Sequence, residues 1–289
     1  MNSGTHPDLK QAVKQLDVLP AMPVIAQKLL ALRVDNEASE KKMVRLIEQD
    51  PQLTAKIIGL SNSSLIGSAR TVSTLKEAAM LLGMARVQTV STAISIMSLM
   101  QKLNARGLNT QDLWLHSFGV AFVMSGIAHA MPHTMRPLDG QIFLTGLLHD
   151  IGYLTLAFLD PHRSARLHAR LAMEPDHLAL EIEHELLELS HDELGAELAH
   201  HWDLPQELVA VLRHHHTPDV ADATAQPLVR MINVAEKLLP SFGIHENVGT
   251  TVSAQEWAAL GINADDAETI KAQVPTLAKQ ASLFVSAFS

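Results

Sequence analysis

The chain has 289 residues, a hydrophobic fraction of 47% and a formal net charge of −9. The negative charge argues against broad binding to nucleic-acid phosphates, and the absence of cysteine excludes disulfides, thiolate metal ligands and cysteine nucleophiles. Only 4% of the residues are aromatic, a composition that favours helices packed through aliphatic side chains. No secretory signal is readable at the N-terminus, and we expect a cytoplasmic protein that does not enter a membrane.

The first part of the chain is predicted to form short helices separated by turn signals. Asp50-Pro51 ends one helix and starts the next. Thr74 and Glu77 have capping-box spacing, and Gly83 is placed to end the same helix. We interpret the polar pair Asn62-Ser63 as a helix-terminating cap, the alternative being a contact between lobes. The predicted helices are 8–16, 25–32, 39–49, 53–60, 74–82 and 87–103.

A polar, glycine-containing segment, Arg106-Gly107-Leu108-Asn109, separates two long apolar patterns and is the best candidate boundary. We therefore predict an all-α fold of two helical lobes, residues 1–106 and 107–289. The charge-free stretch from Leu113 to Met135 contains three histidines and is predicted as a core helix, not a membrane span. The second lobe is expected to contain helices 113–131, 140–159, 163–172, 177–189, 191–202, 206–215 and 228–239, and two short helices within 264–289.

The dipeptide His149-Asp150 lies inside the otherwise apolar run from Gly146 to Gly152. Adjacent helical residues point about 100° apart, so both side chains reach one metal ion only if further ligands converge from other helices. Imidazole nitrogen combined with carboxylate oxygen suits Fe, Mn, Ni or Zn better than Ca or Mg. The sequence offers such ligands at His116, His191, His214-His215-His216 and Glu236.

The alternative interpretation is a simple hydrogen-bonded pair, because buried histidine and aspartate often satisfy each other at a helix end. At most two of three consecutive helical histidines can face inward. We select His215, with His214 as the alternate. Histidines without a partner pattern, such as His129 and His168, are expected at the surface or as caps.

Several segments together resemble the HDOD family, the bacterial HD-related output domain within the superfamily of helical HD phosphohydrolases. The resemblance covers about residues 19–239 and implies an N-terminal helical bundle followed by an HD-like bundle. The segments that carry it are Leu19-Pro20-Ala21-Met22-Pro23, residues 47–56, Leu60-Ser61-Asn62-Ser63, Leu113-Trp114-Leu115-His116-Ser117, the run from Gly146 to Gly152, Gly195-Ala196-Glu197-Leu198 and Trp202-Asp203-Leu204-Pro205.

The resemblance also implies a set of metal ligands and their roles. His149 and Asp150 would be the catalytic residues, and Asp150 would bridge the ions of a two-metal site. Glu236 stands where the superfamily has an aspartate, so this carboxylate is longer by one methylene. The implied ligands of one or two divalent transition metals are His116, His149, Asp150, His191, His215 and Glu236.

HDOD proteins are generally regarded as regulatory, so the resemblance implies a signalling module with a protein partner. The alternative is a metal-dependent phosphohydrolase that acts on a phosphodiester or a nucleotide. The related HD-GYP branch has a lysine after its HDIG run and a Gly-Tyr-Pro element. Here Tyr153 and Thr217-Pro218-Asp219 occupy those places, so the substrate-side residues of that branch are not visible.

Overall fold

The computed structural model describes residues 9, 19–62, 71–102, 108–244 and 250–286, without the side chains of residues 100–102. All regular secondary structure in these ranges is helical, which confirms the predicted all-α fold. The predicted helix 8–16, except Leu9, the boundary residues Arg106-Gly107 and Ser63 lie outside the described residues. The N-terminal helices are α1 (Val24–Leu30), α2 (Glu37–Glu48), α3 (Pro51–Ser61), α4 (Leu75–Leu82) and α5 (Met84–Lys102).

The C-terminal part is built around α6, which packs against the helix that precedes the His-Asp pair, against the helix that carries Glu236 and against the last helix of the chain. Its helices are α6 (Thr110–Ala130), α7 (Asp139–Leu148), α8 (Ile151–Leu159), α9 (Pro161–Met173), α10 (Ala179–Leu187), α11 (His191–His201), α12 (Gln206–His214), α13 (Gln226–Leu238), α14 (Ala254–Ala259) and α15 (Ala264–Ser286).

Helix ends in the N-terminal part follow the sequence signals. The Asp50 side chain accepts hydrogen bonds from the backbone N–H groups of Gln52 and Leu53 at 2.9 and 3.0 Å, and so caps α3. Thr74 and Glu77 form the predicted capping box of α4. Gly83 then ends α4 with φ +86°, a left-handed conformation that favours glycine.

Asn62 acts as the predicted cap of α3 and also holds the next described segment. Its amide nitrogen donates to the carbonyl of Val72 at 2.7 Å, and its Oδ1 accepts from the N–H of Val72 at 2.7 Å. Both backbone groups of Val72 are thereby satisfied without a strand. The contact supports the interpretation of Asn62 as a structural residue.

Two helix predictions are wrong. The predicted helix 140–159 is broken at His149-Asp150, where Asp150 leaves helical geometry with φ −96° and ψ 14°. The turn brings both side chains to one centre, whereas adjacent residues of a continuous helix point about 100° apart. The two short helices predicted in 264–289 are one helix, α15, that continues through Pro275. Its C-terminal half is held by packing, since Phe284 lies 4.4 Å from Phe118 of α6, measured between ring centroids.

The apolar core connects the two predicted lobes. The largest cluster of buried apolar residues contains Leu29 and Ile57 of the N-terminal helices together with Leu147 and Leu212 of the C-terminal helices. The indole Nε1 of Trp202 also donates to the carbonyl of Pro20 at 2.7 Å. Because this core is shared, it marks no boundary between residues 1–106 and 107–289, and that division stays a prediction.

Two segments, Thr110–Ala130 and Asp139–Leu159, are long and apolar enough to cross a membrane by length and composition alone. The bent pair Leu75–Leu82 and Met84–Leu99 would be a third if it counted as one span. In the fold, 67% and 83% of the apolar windows of the two segments are buried inside the protein. Both therefore pack as core helices here.

The two glycines that flank the His-Asp pair allow close helix packing. A Cβ atom on Gly146 would lie 2.7 Å from the Cα of Ala121 in α6. A Cβ atom on Gly152 would lie 1.7 Å from the carbonyl oxygen of His191 in α11. Each glycine thus brings the His-Asp turn against a helix that carries another histidine of the cluster described below.

We expect Gly152→Ala to lower the free energy of unfolding by about 1–3 kcal/mol, because backbone atoms of α8 and α11 must separate. Gly59→Ala is the control, since nothing lies within 4 Å of its added methyl group in α3. That variant should gain about 0.5–1 kcal/mol from helix propensity. Urea unfolding followed by circular dichroism measures both. A Gly152→Ala protein as stable as the unsubstituted chain would contradict the packing argument.

Candidate metal centre

The Asp150 carboxylate lies in the middle of a buried cluster of histidines. Its Oδ2 lies 3.3 Å from Nε2 of His116 and 3.2 Å from Nε2 of His149. Its Oδ1 lies 3.6 Å from Nε2 of His191 and 3.7 Å from Nε2 of His215. One carboxylate therefore faces a different pair of imidazoles with each oxygen.

Glu236 completes the cluster, because its Oε1 lies 3.5 Å from Nε2 of His149. The structure thus brings together all six ligands named from the sequence, and each is at most 1% exposed. Potential ligand atoms lie within 4.8 Å of one another in three groups: His116, His149 and Asp150; Asp150, His215 and Glu236; and His191, His215 and His216.

Two histidines of the run 214–216 join the cluster. The second is His216 and not His214, which was the predicted alternate. His215 is buried as expected, whereas His214 belongs to none of the three groups found among the described residues. His216, which is half-buried, places its Nε2 3.0 Å from Nε2 of His191. α12 ends at His214, and His215 beyond it keeps right-handed helical dihedral angles, so the two inward-facing histidines are the adjacent pair His215 and His216.

The ends of the helices position most of these side chains. His149 and His215 each lie one residue beyond a helix, α7 and α12. The Nδ1 of His149 lies 2.8 Å from the carbonyl oxygen of Gly146, and the Nδ1 of His215 lies 2.7 Å from that of Leu212. A carbonyl oxygen only accepts hydrogen bonds, so each Nδ1 carries a proton and donates it.

The distances between facing Nε2 atoms, and their protonation, indicate whether these histidines fit a metal ion. With Nδ1 protonated, the Nε2 of a neutral imidazole carries a lone pair. The Nε2 of His215 lies 3.2 Å from Nε2 of His191, and that of His149 lies 3.3 Å from Nε2 of His116. The Nδ1 of His191 faces the Glu183 carboxylate, so the Nε2 atoms of His191 and His215 both carry lone pairs, which repel at this distance unless a cation lies between them. The arrangement fits a shared transition metal, for which neutral imidazole is a common ligand.

Protonation states in the cluster agree with metal binding. Burial lowers the pKa of the His215 side chain, with the neighbouring His216 adding to the effect. Burial by itself raises the pKa of Asp150, but the surrounding imidazoles, led by His149, bring that pKa well below its usual range. A neutral His215 imidazole and an ionised Asp150 carboxylate are the forms in which these two side chains coordinate metals.

The sequence model of the HDOD domain matches residues 19–218. The chain belongs to the HDOD family. It is 24% identical over 231 residues to an "Uncharacterized protein" of Treponema pallidum (strain Nichols), a match that covers 78% of this chain and 44% of that protein. The HDOD chain thus spans less than half the length of that curated relative.

Solved structures share the HDOD fold. A "putative signal transduction protein" from Marinobacter aquaeolei VT8 superimposes with a TM-score of 0.81 at 24% identity, over 97% of this chain and 65% of the other. A "putative phosphohydrolase" from Shewanella amazonensis SB2B gives a TM-score of 0.72 at 23% identity, over 96% and 98%. The family resemblance inferred from the sequence is confirmed, and at these identities the structures show the fold alone.

Glu183 of α10 contacts a histidine of the metal cluster, and the sequence analysis did not predict this contact. Both of its oxygens lie 2.9 Å from Nδ1 of His191, and Oε2 also accepts from the backbone N–H of His191 at 2.8 Å. Oε1 accepts from the hydroxyl of Tyr153 at 2.8 Å, and the Tyr153 ring stacks on His191 at 4.4 Å. The signal was a glutamate on the apolar face of a helix, four residues from both Ala179 and Leu187.

His168 was expected at the surface or as a cap, and that prediction is wrong. Its ring lies 5.3 Å from the ring of Tyr153, measured between centroids. Burial lowers the pKa of His168 to about 4, and the nearby His191 adds to the shift. An isolated histidine in α9 gave no sequence signal for this contact, which depends on how α8 and α9 pack.

We expect Glu183→Gln to weaken binding of a divalent metal to the cluster by about 10- to 100-fold, because the His191 ring loses the carboxylate that orients it. Competition with a chelating dye measures the affinity. The matched control is Glu181→Gln, a change of the same type at an exposed position of α10. Equal affinities for the two variants would contradict a positioning role for Glu183.

We expect His168 to make the protein sensitive to acid. The unfolded chain takes up this proton near pH 6.5 and the folded chain only near pH 4, so stability falls as the pH drops through that window. At pH 5 the loss amounts to about 1–2 kcal/mol relative to pH 7.5. His168→Gln should lose correspondingly less stability between the two pH values in urea unfolding. An identical loss in both proteins would exclude His168 as the cause.

Proposed function

We propose that this HDOD chain is a bacterial signal-transduction module whose buried cluster binds one or two divalent transition metals, Fe, Mn, Ni or Zn. The observation that carries the proposal is the convergence of six metal-type ligands from five segments of the chain. The proposed ligands are His116, His149, Asp150, His191, His215 and Glu236, with His216 as an additional one. The facing lone pairs of His191 and His215 support a bound cation.

The burial of the ligands favours a regulatory role over turnover. Catalytic metal sites keep a position open to water or substrate, whereas each of the six ligands here is at most 1% exposed. A metal at this place would cross-link α6, the α7–α8 turn, α11, α12 and α13. We propose that the cross-linked HD-like lobe, residues 107–289, and the N-terminal lobe, residues 1–106, present a surface to a protein partner in the cytoplasm.

The second candidate function is a metal-dependent phosphohydrolase acting on a phosphodiester or a nucleotide. The observation that favours it is the Asp150 carboxylate, whose two oxygens face two separate histidine pairs, as in a carboxylate shared by two ions. Such ions, when bound, polarise phosphoryl oxygens and lower the pKa of water. His149 and Asp150 would then be the catalytic residues, and a structural likeness to the Shewanella protein called a "putative phosphohydrolase" is consistent with this candidate.

Elemental analysis of protein purified without chelator tests the metal. We expect at least one transition metal per chain, and we expect His149→Ala to lose it. His200→Ala is the control, because His200 is exposed on α11 and belongs to none of the three ligand groups. If the protein holds no metal, even after incubation with Mn, Fe, Ni and Zn, the proposal fails and the cluster is a hydrogen-bond network.

The same preparations separate the two functions. The metal-loaded protein is assayed against a generic phosphodiester and a cyclic dinucleotide. The signalling proposal predicts no turnover with any metal. Turnover that Asp150→Ala abolishes and His200→Ala retains would overturn it in favour of the phosphohydrolase.

A further inference from the structure

A cavity of about 270 Å³ lies between the two predicted lobes, apart from the metal cluster. One wall is the start of α5, and the other is formed by the last turns of α6 and the first turns of α7. None of the six proposed metal ligands lines it. Along α7, about ten residues or 15 Å separate the cavity lining at Asp139 from His149. The polar lining residues that matter are Arg86, Thr89, Ser125, His129, Arg136 and Asp139.

The charge of the cavity contrasts with that of the protein. Arg86 has no carboxylate oxygen within 4 Å among the described residues, so its positive charge is not compensated locally. Arg136 pairs with Asp139 at 2.6 Å through one nitrogen, which leaves other N–H donors of its guanidinium available. Two arginines against one carboxylate give the cavity lining a net positive charge, although the whole chain has a net charge of −9.

The hydroxyl groups in the lining are not available as hydrogen-bond donors to a ligand. The hydroxyls of Thr89 and Ser125 donate to the carbonyls of Ala85 and Ala121 at 2.9 and 2.8 Å, so they are occupied within their own helices. The arginines therefore remain as the main donors. The backbone N–H groups at the starts of α5 and α7 add to them, because first-turn N–H groups have no acceptor within the helix.

The rest of the lining is apolar. Leu82, Ala128, Ile142 and Phe143 contribute buried side chains to the cavity wall. A ligand that fits this combination has one anionic end and one apolar, flat or compact body. The volume lies just below the usual range of about 300–1,000 Å³ for ligand pockets, so a small ligand fits and a dinucleotide does not.

We propose that this interlobe cavity binds a small phosphomonoester of about mononucleotide size, with its phosphate at Arg86 and Arg136 and its apolar part against Ile142 and Phe143. Guanidinium groups match the geometry and charge of phosphate oxygens. The ligand would contact α5 on one side and α6 and α7 on the other. Its binding therefore stabilises the arrangement in which these helices stay together. The inference goes beyond the proposed metal site and does not require it.

Isothermal titration calorimetry of the full chain with AMP, adenosine and inorganic phosphate tests the cavity. We expect AMP to bind, phosphate to compete with it, and adenosine to bind at least tenfold more weakly. Arg86→Glu should lower AMP affinity at least tenfold, while Arg86→Lys should retain part of it. Arg166→Glu is the control, since it makes the same charge change at an exposed position of α9. Circular dichroism verifies that each variant is folded.

A phosphate that bound the metal cluster would give a false positive, so the titrations are repeated on Asp150→Ala and on chelator-treated protein. Retained AMP binding in both, with loss in Arg86→Glu, supports the cavity. Binding that disappears with Asp150→Ala or chelation and persists in Arg86→Glu assigns the phosphate to the metal cluster and overturns the inference. No saturable binding of AMP or phosphate to the unsubstituted chain also overturns it.

Discussion

The fold of the C-terminal part depends on one buried charge, the carboxylate of Asp150. An ionised carboxylate without compensation inside a protein costs many kcal/mol, and natural structures surround such groups with donors or cations. Here the Nε2 atoms of four imidazoles from four segments lie 3.2 to 3.7 Å from its two oxygens, and a cation held by these nitrogens would compensate the charge. Breaking α7 from α8 at this residue costs helical hydrogen bonds, and the cluster offsets that cost by placing both His149 and Asp150 at one centre. The glycines beside the turn also stabilise the cluster, because they let α6 and α11 pack closely against the turn.

Much of this cluster could be predicted from the sequence because residue types indicated candidate ligands and the resemblance to the HDOD family implied which of them meet. A histidine and an aspartate inside an apolar run have few stable alternatives to a shared partner, and the possible partners could be listed. The local signals at Asp50, Thr74 and Gly83 were sufficient for the same reason: each acts on backbone groups within a few residues. The sequence does not show how the helices pack against one another. Glu183 was missed because its role depends on the packing of α10, and His216 was offered among three consecutive histidines but not selected.

The failures have one physical cause, which is that tertiary contacts overrule local preference. The apolar periodicity of residues 140–159 favours a continuous helix, but the ligand cluster imposes a turn. Pro275 favours a break, but the packing of Phe284 on Phe118 keeps α15 continuous. His168 has no sequence partner, and only the fold sets it beside Tyr153. In each case a contact between residues far apart in sequence or on different helices decides the outcome, and no window of the sequence contains it.

The placement of the two polar centres bears on how the protein would work. The six ligands named from the sequence are buried in the metal cluster, so exposing them would separate helix ends that the buried carboxylate holds together. The interlobe cavity is lined by charged groups that solvent reaches, since the Asp139 side chain is 74% exposed. A soluble ligand therefore has access to the cavity and not to the cluster. Helix α7 connects them, with its first turn at the cavity and its end at His149. A ligand in the proposed cavity site and a metal in the proposed cluster would therefore hold opposite ends of the same helix.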